Sequence, residues 1–230
     1  MEPLTALGVA TASFVGSHFL LSSHPLRGKL VQALGSGGFM GVYSLLSFAT
    51  FGWMLWSWSE APFALLWASP PWTRWVTVVG TFVAFLFLVI GFTTPNPTAV
   101  MQDGRLAKGP DAAVGLTRVT RHPALWGFAL WGLSHLASNG DARSAWVMGG
   151  MVVLAFGGMV HIDRRRRRAN PEGWKDFAKH TSLVPFGAIA RGEQKLAPSE
   201  IGWWRPLAAV AAFVGMALIH QWSIGVSPWP

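Results

Sequence analysis

Arg121–His135 reads RHPALWGFALWGLSH, an ionisable pair, a proline, and then a tryptophan-rich apolar run that carries a second histidine. Proline is tolerated in the first helical turn, where its missing N–H would have no partner anyway, so Pro123 marks a helix start, and the helix runs to about Leu136. The thirteen residues from His122 to His135 correspond to about 20 Å of helix. These two histidines therefore lie at different depths of whatever the helix crosses, and they cannot ligate one metal ion together.

Composition identifies what is crossed. The chain of 230 residues is 51% hydrophobic and 12% charged, with 14 tryptophans, too apolar for an ordinary soluble domain. It reads as a single all-α domain over residues 1–230, a polytopic integral membrane bundle of about six transmembrane helices with short amphipathic interfacial helices. The absence of cysteine excludes disulfides, thiolate-ligated haem, iron–sulfur clusters and cysteine nucleophiles. Any metal must be held by histidine or carboxylate. The net charge of +8 comes from basic residues flanking apolar spans, so it predicts membrane orientation and no nucleic-acid role.

On the N-terminal side of the organising helix, Leu4–Leu21 is a first span, retained because it lacks a basic start and a small-residue cleavage site. Ser22–Gly38 follows as an interfacial amphipathic helix with Leu26, Leu30, Val31 and Leu34 on one face. Phe39–Trp58 is the second span and contains the only tyrosine, Tyr43. A proline- and tryptophan-rich loop fits an aromatic belt before the third span, Arg74–Phe92. The polar stretch 93–120 is long enough for a functional loop or lid. On the C-terminal side, Ala145–Ile162 is the fifth span, with glycines at 149, 150, 157 and 158 for close packing. The run Arg164–Arg168 comes next, then an amphipathic surface segment anchored by Trp174, Phe177 and Leu183. A sixth span covers about Pro206–Trp222.

With the five-arginine run in the cytoplasm, every lysine and arginine except Arg74 and Arg143 falls on that side. The bias places both termini outside and the long loops and the His122 helix start inside. The run itself is most simply a topology and anionic-headgroup signal.

Ionisable groups within apolar spans are costly and mark function by default, because they normally face a partner inside the bundle. His18, His122, His135 and His161 are the candidates. His18 and His135 lie in different apolar helices, and imidazole is a common axial ligand, so they form the first choice for a shared ion or haem. Axial ligands must share one level. That requires the first helix to reach about Ser23 and the fourth to start below the interface; otherwise His18 with His161 is the geometric competitor. Arg121 and His122 form a second site, either a helix cap or a place for an anionic headgroup or phosphate-bearing ligand at exposed N–H groups.

Four stretches carry a family resemblance: GSHFLLSSHPLRGKL, VYSLLS, RHPALWGFALWGLSH and WKDFAKHTSLVPF. Together, over about residues 4–186, they resemble the NnrU family, which is named for denitrification and includes the 15-cis-zeta-carotene isomerases. The final span, about 206–222, lies beyond this core. The resemblance implies haem b with two axial histidines, His18 and His135. It also implies cis–trans isomerisation of a membrane-dissolved polyene such as 15-cis-zeta-carotene, with Tyr43 lining the pocket; Arg121 and His122 stand beside it as further candidate cofactor-binding residues from the helix-start reading. The alternative is a haem-bearing accessory or sensor protein of nitric oxide and denitrification metabolism. A more distant likeness, to the isoprenylcysteine carboxyl methyltransferases, shares the RHP helix start. There a double glutamate usually follows the next helix, but HIDRRRRR stands at that position here, which argues against methyl transfer. The expected setting is the bacterial inner membrane, with the lipid bilayer, anionic lipid headgroups and a hydrophobic polyene as partners.

Overall fold

The computed structural model describes residues 1–230 and is helical throughout, with no strand beyond one isolated bridge. In chain order the α-helices are α1 (Pro3–Ser22), α2 (Leu26–Glu60), α3 (Thr73–Thr93), α4 (Pro123–Ser138), α5 (Ala142–Ala169), α6 (Pro171–Lys179), α7 (Gly187–Ala190), α8 (Pro198–Ile201) and α9 (Trp204–Ile224). Five of them, α1, α2, α3, α5 and α9, are long and apolar enough to cross a membrane. The organising helix α4 has 16 residues, about 24 Å, and is packed between α3 and α5. Its shortness is supported by those two longer neighbours.

The expected interfacial helix is the first part of α2. Gly35, with φ of 71°, breaks the helical path there, a conformation that costs glycine little and other residues more. The segment from Leu26 to Leu34 therefore leaves the span at an angle.

The spans form an open row in the order α2, α1, α5, α4, α3, α9. Small residues set the closest approaches. A Cβ on Gly91 would stand 2.7 Å from the Ala124 backbone nitrogen, and one on Gly127 would stand 2.6 Å from Leu88 and 3.0 Å from the Ala84 carbonyl. Without a hydrophobic drive between helices in lipid, such backbone proximity is what holds them together. On α5, Gly150 meets Thr11 and Gly157 meets Phe19, Gly158 lies at ordinary contact distance from Leu125, and Gly149 faces open space. Two of the four predicted packing glycines thus carry tight contacts. Large apolar side chains such as Leu45, Phe48, Trp56, Trp75 and Leu218 are exposed along the row, the expected state of a lipid-facing surface.

The chain between α3 and α4 is a packed cap. Short 3-10 segments at Asp103–Ala112 and Gly115–Arg118 bury Leu106, Ala112 and Ala113 against Trp174 and Phe177 of α6. Trp174 and Phe177, expected as membrane anchors, are 6% and 0% exposed. They face protein because the polar loop has its own apolar residues to cover. At the opposite end, the Leu66 and Trp67 N–H groups donate to the Gly140 carbonyl at 2.7 and 3.1 Å. Asp141 caps α5 by accepting from the Ser144 N–H.

Candidate functional site

At the start of α4 the ionisable pair is buried. His122 is 2% exposed, and its Nε2–H donates to Asp163 Oδ1 at 2.6 Å. Its side chain does not cap α4. Burial pushes the imidazole below its ordinary value, opposed by the hydrogen bond and the charge of Asp163, so the group is neutral at physiological pH. Arg121 contacts the other oxygen of Asp163 at 3.7 Å and lies 5.4 Å over the Trp174 ring. Burial lowers its pKa as well, again opposed by Asp163. The Arg121 carbonyl accepts from Asn96 Nδ2 and Thr98 Oγ1, so the cap holds the helix start from below. In the first turn of α4, expected to offer free N–H groups to an anion, the Ala124 nitrogen lies against Gly91 of α3.

Asp163 is not marked by the sequence as the partner of His122, although a buried ionisable pair demands a carboxylate and the chain has only 10 acidic residues. It sits 41 residues from His122, beyond any local spacing rule.

The arginine run is divided by helical periodicity. Arg166 points to the cap, reaching the Ala99 carbonyl at 2.8 Å and Asp103 at 3.3 Å. Arg165 lies within electrostatic reach of Tyr43. Arg164 and Arg167 line a cavity of about 300 Å³ with Arg121, Val160, Asp163, Trp174 and Leu183.

The intramembrane histidines occupy three separate places. His18 stacks edge-on with Phe14 at 4.6 Å and Tyr43 at 5.5 Å, and its Nδ1–H donates to the Phe14 carbonyl at 2.7 Å. His135 repeats this arrangement, with Nδ1–H to the Trp131 carbonyl at 2.8 Å. Both rings thus present Nε2 outward, the tautomer that a metal-ligating histidine uses. His161 spends its Nε2–H on the carbonyl and hydroxyl of Ser22, each at 3.0 Å, a hydrogen bond between α5 and α1.

The sequence model described as NnrU protein matches residues 6–228. The chain belongs to the NnrU family. The match runs through α9, past the point where the residue resemblance ends. Two curated relatives of this NnrU chain are named 15-cis-zeta-carotene isomerase, chloroplastic. The one from Arabidopsis thaliana is 30% identical over 118 residues, 51% of this chain and 31% of the relative. The one from Zea mays is 34% identical over 116 residues, 50% of this chain and 31% of the relative. The aligned region thus spans under a third of either relative. No solved structure matches this chain.

Helix α5 packs against both α1 and α4 and so relates the levels of His18 and His135. Contacts of Gly8 with Trp146, Gly150 with Thr11 and Gly157 with Phe19 put His18 level with about residue 157 of α5. Contacts of Asp163 with His122, Leu125 with Gly158, and Gly132 with Met148 and Val152 put His135 level with about residue 147. About ten residues of helix separate the two levels, or about 15 Å. Both rings fold back towards their helix N-termini, which narrows this gap because α1 and α4 run in opposite directions, and α5 stands between α1 and α4 in the row. The end of α1 at Ser22 lies one residue short of the sequence condition for a shared level. His18 and His135 thus lie on helices flanking α5, each with Nδ1 engaged by its own helix and Nε2 left without a protein partner for a ligand.

Proposed function

We propose that this NnrU protein is a membrane-embedded cis–trans isomerase acting on a polyene dissolved in the bilayer. The observation that carries the proposal is that both matched relatives bear the name of a 15-cis-zeta-carotene isomerase. The open apolar row supports it, since a long hydrocarbon can lie along such a surface without leaving lipid. The bacterial inner membrane, with the Arg164–Arg168 end in the cytoplasm, is the proposed setting.

His18 and Tyr43, stacked on neighbouring helices, and His135 on α4 are the polar groups we assign to this function. They interrupt otherwise apolar faces, where an unengaged Nε2 is costly unless it meets a ligand. Haem b belongs to the proposal, with His18 and His135 as the imidazoles that would hold it through their free Nε2 atoms.

The test is expression in a bacterial host engineered to make 15-cis polyenes, kept in darkness, with the isomers separated by chromatography. Wild type is expected to deplete the 15-cis isomer, and His18→Ala and His135→Ala to leave most of it. Persistence of the 15-cis isomer beside membrane-inserted wild type would overturn the reading. Absorption spectra of the purified protein, oxidised and reduced, test haem separately, and the same two variants show which imidazole holds it.

A further inference from the structure

The cavity between α4, α5 and α6 is lined by none of His18, Tyr43 and His135. Its walls are Arg121, Arg164 and Arg167 on the polar side and Val160, Trp174 and Leu183 on the apolar side, with Asp163 at the junction. Arg164 and Arg167 make no hydrogen bond or ion pair with any protein acceptor, unlike Arg166 one position away. The Nε of Arg121 is shielded from solvent and also lacks a partner. Asp163 is already engaged by His122 and Arg121, and with His122 neutral, three guanidinium groups face one carboxylate. The surplus is two positive charges. Guanidinium forks suit phosphate oxygens in charge and geometry. The cavity lies where α5 leaves and α4 enters the bilayer, the level of inner-leaflet headgroups.

We infer that this cavity binds a phosphate group carrying about two negative charges, with Val160, Trp174 and Leu183 covering the adjoining part of the ligand. The phosphate can come from a phosphomonoester lipid of the inner leaflet or from a soluble phosphate compound. This inference does not rest on the isomerase reading.

Purified full-length protein in phosphatidylcholine nanodiscs provides the test. Phosphatidic acid is titrated in and its retention read by native mass spectrometry; inorganic pyrophosphate is titrated separately and read by the shift in Tm. Retention of phosphatidic acid over phosphatidylcholine identifies the lipid source, and a Tm rise with pyrophosphate identifies the soluble one. In either case Arg164→Gln and Arg167→Gln should each weaken binding about tenfold or more, the loss of a charge-assisted hydrogen bond. Arg168→Gln makes the same change in charge outside the cavity and should bind like wild type. The inference is overturned if neither probe binds wild type, if the two cavity variants bind normally, or if Arg168→Gln falls as far as they do.

Discussion

The side chain that most constrains the others at this site is Asp163, because it holds both members of the buried Arg121–His122 pair. Removing it leaves Arg121 with less compensation and His122 without its acceptor. Asp163→Ala should therefore cost about 1–3 kcal/mol, the penalty for orphaning a buried donor, visible as a lower Tm in detergent. The pH dependence has a definite sign. Burial depresses the folded-state pKa of His122, so the unfolded chain binds the extra proton first and stability rises with pH. Thermal stability should be complete above the ordinary histidine range, near about 6.5, and fall as pH drops below it. His122→Gln, which cannot titrate, should flatten that part of the profile; an unchanged slope would place the titration elsewhere.

Between elements, glycine contacts decide how tightly the helices meet. Gly91 faces backbone of α4, which cannot move aside, so Gly91→Ala should destabilise by about 1–3 kcal/mol through overpacking. Gly149 sits inside α5, and a Cβ added there would meet nothing within 4 Å. Gly149→Ala should be neutral or stabilise by about 0.5–1 kcal/mol, since only helix propensity changes. Comparative melting of the two variants separates packing glycines from incidental ones. At the far end of the row, Arg118 donates twice to Glu200, at 2.8 and 2.7 Å, and the Gly115 N–H adds a third bond at 2.7 Å. The Arg118 hydrogen bond chiefly holds the Glu200 carboxyl below its usual range, so this clamp between the cap and α8 persists at neutral pH and is lost as acid protonates Glu200. Glu200→Gln should expose the segment before α9 to protease while sparing the rest.

For the whole molecule, the charge asymmetry predicts one orientation, and the lack of cysteine makes the test clean. Single cysteines at Ser227 and Ala68, both exposed, should react with an impermeant thiol reagent in intact cells. A cysteine at Lys195 should react only after permeabilisation. Labelling of Lys195→Cys from outside would reverse the topology and place the arginine cavity away from the inner leaflet. The open row, in which α2 and α9 each have one principal neighbour, leaves long apolar faces to lipid. This is why so few side chains form a core around Leu7, Phe14, Met54 and Val147.

The helical membrane architecture was legible in the sequence because apolar runs of about 20 residues and flanking charge report directly on the bilayer as solvent. Pro123 as a helix start, an interfacial segment before the second span and the stretch between His122 and His135 are local backbone properties, so they too could be read from the chain. Tertiary structure alone decided three matters. It joined His122 to Asp163 across 41 residues. It divided five consecutive arginines among separate surroundings, because successive helical residues point about 100° apart while a sequence run reads as one block. It also set His18 and His135 on helices with α5 between them. Depth and lateral order depend on which faces pack, and no one-dimensional spacing encodes that order.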